Sequence, residues 1–162
     1  MSIAILTAGG TIDKVYFDAN SEFAVGDPQI ARVLADANVQ VDYTIETVHR
    51  KDSLDLTEED RDLLVQRARE IPQERILITH GTDTMAETAR AMLGVAGKTI
   101  VLVGSLSPAR MKASDAEFNV GFALAAVQTL PAGAYVAMNG CLFPAADVRK
   151  NRDQSRFERS SQ

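Results

Sequence analysis

Three segments place hydroxyls directly behind apolar runs: Thr11 after "AILTAGG", Thr82 with Asp83 in "ILITHGTDT", and Ser105 in "IVLVGSLSP". A hydroxyl becomes a nucleophile when a neighbour takes its proton and its attack path is open, which favours the turns that follow strands. Thr11 has that placement, although satisfying turn backbone would by itself account for it. Asp83 stands where a helix begins and could cap it, bind a substrate ammonium or orient a base. Lys150 gains interest in combination, since a desolvated lysine beside a carboxylate and a hydroxyl relays protons. His80 reads as structural, because a Ser/His/Asp arrangement has little support from a chain with two histidines. "AGG" lacks both phosphate-loop patterns, and no His, Asp or Glu cluster has metal-ligand spacing.

The elements that position these residues are legible in outline. Residues 3–6 read as a buried strand ended by Gly9-Gly10, and residues 8–26 as a long loop without helical or alternating periodicity. Asp27-Pro28 reads as an N-cap and first turn for a helix through Ile30, Val33, Leu34 and Ala37. Residues 40–48 alternate as a strand, and "TEED" from Thr57 forms a capping box for a second helix. Strands over 75–79, 99–103 and 135–138 follow. Helices run to about Val95 and from Ser114, with Glu117 as its box partner, to Leu130. Alternating strands and helices predict a three-layer α/β sandwich with a mostly parallel sheet, whose ligands sit beyond the carboxyl ends of the strands. That edge receives "AGGT", "HGTDT" and "GSLSP".

With 162 residues, the chain suits one domain over 1–150, followed by a polar, mobile tail over 151–162. Residues 148–159 hold five Arg or Lys against two acids, which reads as solvated surface. A net charge of -5 leaves no electrostatic footprint for nucleic acid or an anionic membrane, so a small polar partner is expected. The single Cys141 and the lack of a leader-like or spanning apolar run fit a cytoplasmic protein.

In order and spacing, "TAGGTIDK", "KDSLDLT", "ITHGTDTMAETA", "VLVGSLSP" with "SDAEFN", and "DVRK" resemble the N-terminal domain of bacterial-type L-asparaginases over nearly the whole chain. The resemblance implies a flavodoxin/Rossmann-like fold and hydrolysis of L-asparagine to L-aspartate and ammonia through a threonine acyl-enzyme, with weaker glutaminase activity. It implies Thr11 as nucleophile and Thr82, Lys150 and Asp83 as a second, hydroxyl-based triad. Ser53 and Asp83 would receive the substrate α-carboxylate and α-ammonium, and the Ser105 carbonyl would face the amide. Backbone N–H groups at the turns after Gly10 and Gly81 would hold the oxyanion, each worth roughly 2.7–4 kcal/mol by analogy with other hydrolases. No metal or organic cofactor is required, and a homo-oligomer, dimer or tetramer, is implied.

Two departures stand out. Where the family carries a lid tyrosine, this sequence has Phe23, so Tyr16, earlier in the same segment, is the candidate phenol; the alternative is that Tyr16 and Phe23 are loop-packing aromatics. Full-length members also carry a second domain that helps close the site, so a more open site with looser substrate binding is expected. Two alternatives stay open: a non-catalytic amino-acid-binding or regulatory domain, and an amidase for a larger amide.

Overall fold

The computed structural model describes residues 1–19 and 21–161; Asn20, in the segment expected as a loop, and Gln162, at the end of the expected tail, lie outside the described residues. In chain order the elements are β1 (Ser2–Gly9), β2 (Lys14–Phe17), β3 (Glu22–Val25), α1 (Ile30–Asp36), β4 (Asp42–Lys51), α2 (Glu58–Glu70), β5 (Arg75–Thr79), α3 (Met85–Ala91), β6 (Thr99–Val103), α4 (Ala116–Thr129), β7 (Gly133–Met138), β8 (Cys141–Pro144), β9 (Arg149–Asn151) and β10 (Arg156–Glu158). The main sheet runs β4-β1-β5-β6-β7-β8, parallel throughout except for β8. Counting only the parallel strands, this is the flavodoxin order 2-1-3-4-5, and its switch point lies between β1 and β5.

Side chains alternate across the sheet and divide the core into two layers. Ile76, Ile78, Ile100 and Leu102 pack under α2 and α3 with Leu64, Ala68, Met85 and Ala89. Leu77, Val101 and Val103 face α1 and α4, where they meet Val33, Leu34, Val120 and Val127. The sheet is therefore covered on both faces, as the expected three-layer sandwich requires. Burying each of these aliphatic side chains stabilises the fold by about 1.5–3 kcal/mol, before the entropy of ordering is subtracted.

The expected "TEED" capping box is present: Thr57 Oγ1 accepts the Asp60 N–H at 3.2 Å and Asp60 Oδ2 accepts the Thr57 N–H at 3.0 Å. Elsewhere the local readings need correction. Residues 8–26 are not an irregular loop, since β1 continues to Gly9, a 3-10 turn spans Thr11–Asp13, and β2 pairs with β3 as an antiparallel hairpin. Tyr16, Phe17 and Phe23 are all about half exposed, so no buried face imposed the alternation that would have revealed it. Asp27 does not cap α1; the helix starts at Ile30, and the carboxylate at its N-terminus is Asp13, whose Oδ1 accepts the Gln29 N–H at 2.8 Å.

α4 likewise starts without the expected Ser114–Glu117 box: Ser114 Oγ accepts the Ala116 N–H at 3.1 Å, while Asp115 turns back to the loop after β6. The polar end is not a free tail through Glu158. β9 and β10 form a hairpin, and Phe157 is buried against the α2/α3 layer. Among the described residues no helix is long and apolar enough to cross a membrane.

Candidate active site

Register brings the three hydroxyl-bearing turns together. Thr7 pairs with Thr79 and Thr79 with Val103, so Gly9-Gly10, His80-Gly81 and Gly104-Ser105 leave the sheet side by side. Gly10 has φ of 93°, in the region that favours glycine, and a Cβ there would stand well inside 3.0 Å of the Gly81 N and Cα. A Cβ on Gly81 would in turn lie 2.6 Å from the Ser53 Cβ. Backbone contact that only glycine permits therefore holds the Thr11, Thr82 and Ser53 segments against one another. The Gly10 N–H also bonds to the Lys51 carbonyl at 2.9 Å, tying this turn to the end of β4.

Thr11 is partly buried and opens the 3-10 turn that follows Gly10. Thr82, Asp83 and Lys150 converge across nearly seventy residues of sequence: Lys150 Nζ donates to Thr82 Oγ1 and to Asp83 Oδ1, both at 2.7 Å. The ammonium is mostly covered, with side-chain exposure of 13%. It is delivered by β9, and its neighbour Val148 is anchored by the Arg90 guanidinium, which donates to the Val148 carbonyl at 3.1 Å.

Ser53 is buried beside Gly81, and its carbonyl accepts the Thr84 hydroxyl at 2.8 Å. Ser105 is also buried, with its hydroxyl donating to the Ser107 carbonyl at 2.5 Å. Tyr16 is 52% exposed, its ring 5.4 Å from Phe23. Among the described residues no hydrogen bond joins the Tyr16 hydroxyl to Thr11, so the hairpin presents this residue outside the hydrogen-bonded cluster.

The supporting groups are less visible in the sequence. His80 is fully buried, with Nδ1 2.7 Å from the Gly81 carbonyl and Nε2 2.8 Å from Thr88 Oγ1. A carbonyl only accepts, so Nδ1 carries the proton and Thr88 donates to Nε2. Burial holds the imidazole down at about 4, and it works as a neutral strut that orients the Gly81 peptide ahead of Thr82. This agrees with the structural reading of His80.

Asp115 steadies the Ser105 loop. Its carboxylate accepts the Leu106 N–H at 3.0 Å, the Ser107 N–H at 3.1 Å and the Asn139 amide at 2.9 Å. Burial alone would raise its carboxyl, but these donors together hold it below its ordinary value. Asp13, two residues beyond Thr11, is almost wholly buried; one oxygen takes the Gln29 N–H and the other has no partner among the described residues. Burial pushes it up to about 6, against the opposing Gln29 N–H and the charge of Arg50. Among the described residues no three His, Cys, Asp or Glu side chains gather as a metal site.

Hydroxyls, a lysine and a carboxylate gather at the carboxyl edge of a doubly wound α/β domain, the place where such folds bind small molecules. The chain belongs to the asparaginase family, whose N-terminal domain matches residues 2–159. It is 42% identical over 80 residues to the glutaminase-asparaginase of Acinetobacter glutaminasificans, an alignment covering 46% of this chain and 24% of the relative. The thermostable L-asparaginase from Thermococcus kodakarensis superposes with a TM-score of 0.85 at 25% identity, over 98% of this chain and 51% of that one. A probable cytoplasmic L-asparaginase from Campylobacter jejuni gives 0.81 at 28% identity, with the same coverage. The chain thus spans about half the length of these solved structures.

Proposed function

We propose that this chain is an amidohydrolase that converts L-asparagine to L-aspartate and ammonia through an acyl-enzyme on Thr11, with weaker activity on L-glutamine. The observation that carries this reading is the Lys150 ammonium bonded at 2.7 Å to both Thr82 Oγ1 and Asp83 Oδ1, next to the Gly10–Gly81 contact that presents Thr11. Binding an amino acid would need neither a second hydroxyl nor a lysine wired to it.

Thr11 Oγ attacks the amide carbon and forms the ester as the C–N bond breaks, and the leaving nitrogen takes a proton to depart as ammonia. Backbone N–H groups at the turns after Gly10 and Gly81 hold the oxyanion. Water then attacks the ester, adding its hydroxyl to the acyl carbon and returning its proton to Thr11. The Thr82–Lys150–Asp83 chain carries protons in these steps. Lys150 occupies only Oδ1 of Asp83, which leaves the other oxygen for the substrate α-ammonium. Ser53 takes the α-carboxylate, and the Ser105 carbonyl accepts from the amide nitrogen.

Tyr16 completes the reading as the hairpin phenol that contacts Thr11 when substrate is bound. Turnover by a homo-oligomer in the cytoplasm belongs to the same proposal. The test is ammonia release from L-asparagine and L-glutamine, run beside calorimetric binding of L-aspartate. Release from asparagine above that from glutamine is expected; aspartate binding without release from either amide would instead identify an amino-acid-binding domain. A Tyr16→Phe variant is expected to lose turnover, and full activity in it would remove Tyr16 from the mechanism.

A further inference from the structure

Beyond the relay, the space between the start of α3 and the β9–β10 hairpin is lined by Asp83, Glu87, Arg90, Arg149, Lys150 and Arg152. Four cations face two acids there, an arrangement that favours an anion. Three of the cations are committed at short range. Lys150 holds Thr82 and Asp83, Arg149 Nη2 pairs with Glu158 at 2.8 Å, and Arg90 donates to the Val148 carbonyl. Arg152 is different. Its side chain is 63% exposed, and its ion pair, Nε to Asp83 Oδ1 at 3.9 Å, is too long for a hydrogen bond.

We infer that Arg152 is a specificity-determining residue that grips the substrate α-carboxylate in addition to Ser53; this rests on the amidohydrolase reading above. In an α-amino acid the ammonium nitrogen and the carboxylate oxygens share one Cα and lie only about 3 Å apart. If Asp83 accepts the ammonium through the oxygen that Lys150 leaves free, the carboxylate lies within about 6 Å of the Asp83 carboxylate, a span that a long side chain already beside Oδ1 can cross by swinging. Arg152 is that side chain, and its planar guanidinium suits a carboxylate while its exposure leaves it free to swing toward one. The contact is remote from the scissile amide and made equally in ground and transition states, so it acts on substrate capture and on the preference for amides that carry an α-carboxylate.

The test is steady-state ammonia release from L-asparagine by wild type, Arg152→Gln, Arg152→Lys and Arg156→Gln across pH. Arg156 lies on the same hairpin, is equally exposed and, among the described residues, forms an ion pair only with Glu158, so it controls for surface charge. Arg152→Gln is expected to raise KM about 5- to 10-fold with kcat and the pH profile unchanged. Arg152→Lys should recover part of the loss, and Arg156→Gln should match wild type. For 3-aminopropanamide, which is asparagine without its α-carboxylate, the Arg152→Gln effect on kcat/KM should vanish. A fall in kcat or a displaced pH limb would mean that Arg152 acts through Asp83 and Lys150, and an unchanged KM would remove it from the site; either overturns the inference and leaves the amidohydrolase reading intact. Absence of ammonia release from the wild type would remove both.

Discussion

Asp13 offers a test in which sign, size and pH window all follow from one buried group. Its ordinary value of 3.8 is raised to about 6, chiefly by burial, so ionisation costs the folded state more than the unfolded chain. That gap corresponds to about 3 kcal/mol. The stabilisation is fully present below pH 3.8, where both states are protonated, and is lost as pH rises through about 6. Asp13→Asn cannot ionise, and its amide oxygen still accepts the Gln29 N–H. Urea unfolding of both proteins from about pH 4 to about pH 7.5 should show the variant gaining about 2.5 kcal/mol relative to wild type across that range, on top of any constant offset.

His80 makes the comparison sharper. Burial lowers it from 6.5 to about 4, so its contribution is present above pH 6.5 and lost as pH falls toward 4, opposite in sense to Asp13. The two groups offset one another in the wild type over much of this interval. Removing the Asp13 titration should unmask the His80 loss as a steeper acid limb in Asp13→Asn. A stability difference between the two proteins that stays flat across this range would refute the argument.

Two further outcomes follow from the site geometry. Lys150→Met removes the ammonium that bonds Thr82 and Asp83, the proposed proton carrier, and is expected to lower kcat by about 10²- to 10⁴-fold, measured as ammonia release, with circular dichroism reporting a retained fold. Gly81→Ala sets a Cβ 2.6 Å from that of Ser53, and overpacking there should cost about 1–3 kcal/mol in urea unfolding and weaken asparagine turnover, whereas Gly121→Ala, with open space around it, should do neither.

Much of the frame was legible because β1, β5 and β6 are apolar runs buried on both faces, and because such strands point their following turns toward one edge. Thr11, Thr82 and Ser105 stand out as hydroxyls at those turns, whereas Ser53, which follows β4, is marked only by the resemblance to the family. The β2–β3 hairpin stayed hidden because its aromatics are exposed on both faces. The β9–β10 hairpin did so because its strands are three residues long and mostly charged, with Phe157 as their one buried anchor. Asp13 between Ile12 and Lys14 looks like turn chemistry, and its burial arises only when Gln29 and the hairpin close over it. The expected Ser114–Glu117 box fails for a related reason: the helix begins only after Asp115, whose carboxylate is taken by tertiary donors from the β6 loop. The union of Lys150 with Thr82 is likewise a product of topology, since β9 must return to the start of α3 to make it.

The central claim is that Thr11 is the acyl acceptor, and the rate of ammonia release from saturating L-asparagine by wild type, Thr11→Ala and Thr11→Ser tests it most directly. The account predicts at least about a 10³-fold loss in Thr11→Ala with the fold and aspartate binding retained, and measurable activity in Thr11→Ser, which keeps a hydroxyl in place. Wild-type turnover in Thr11→Ala would contradict it.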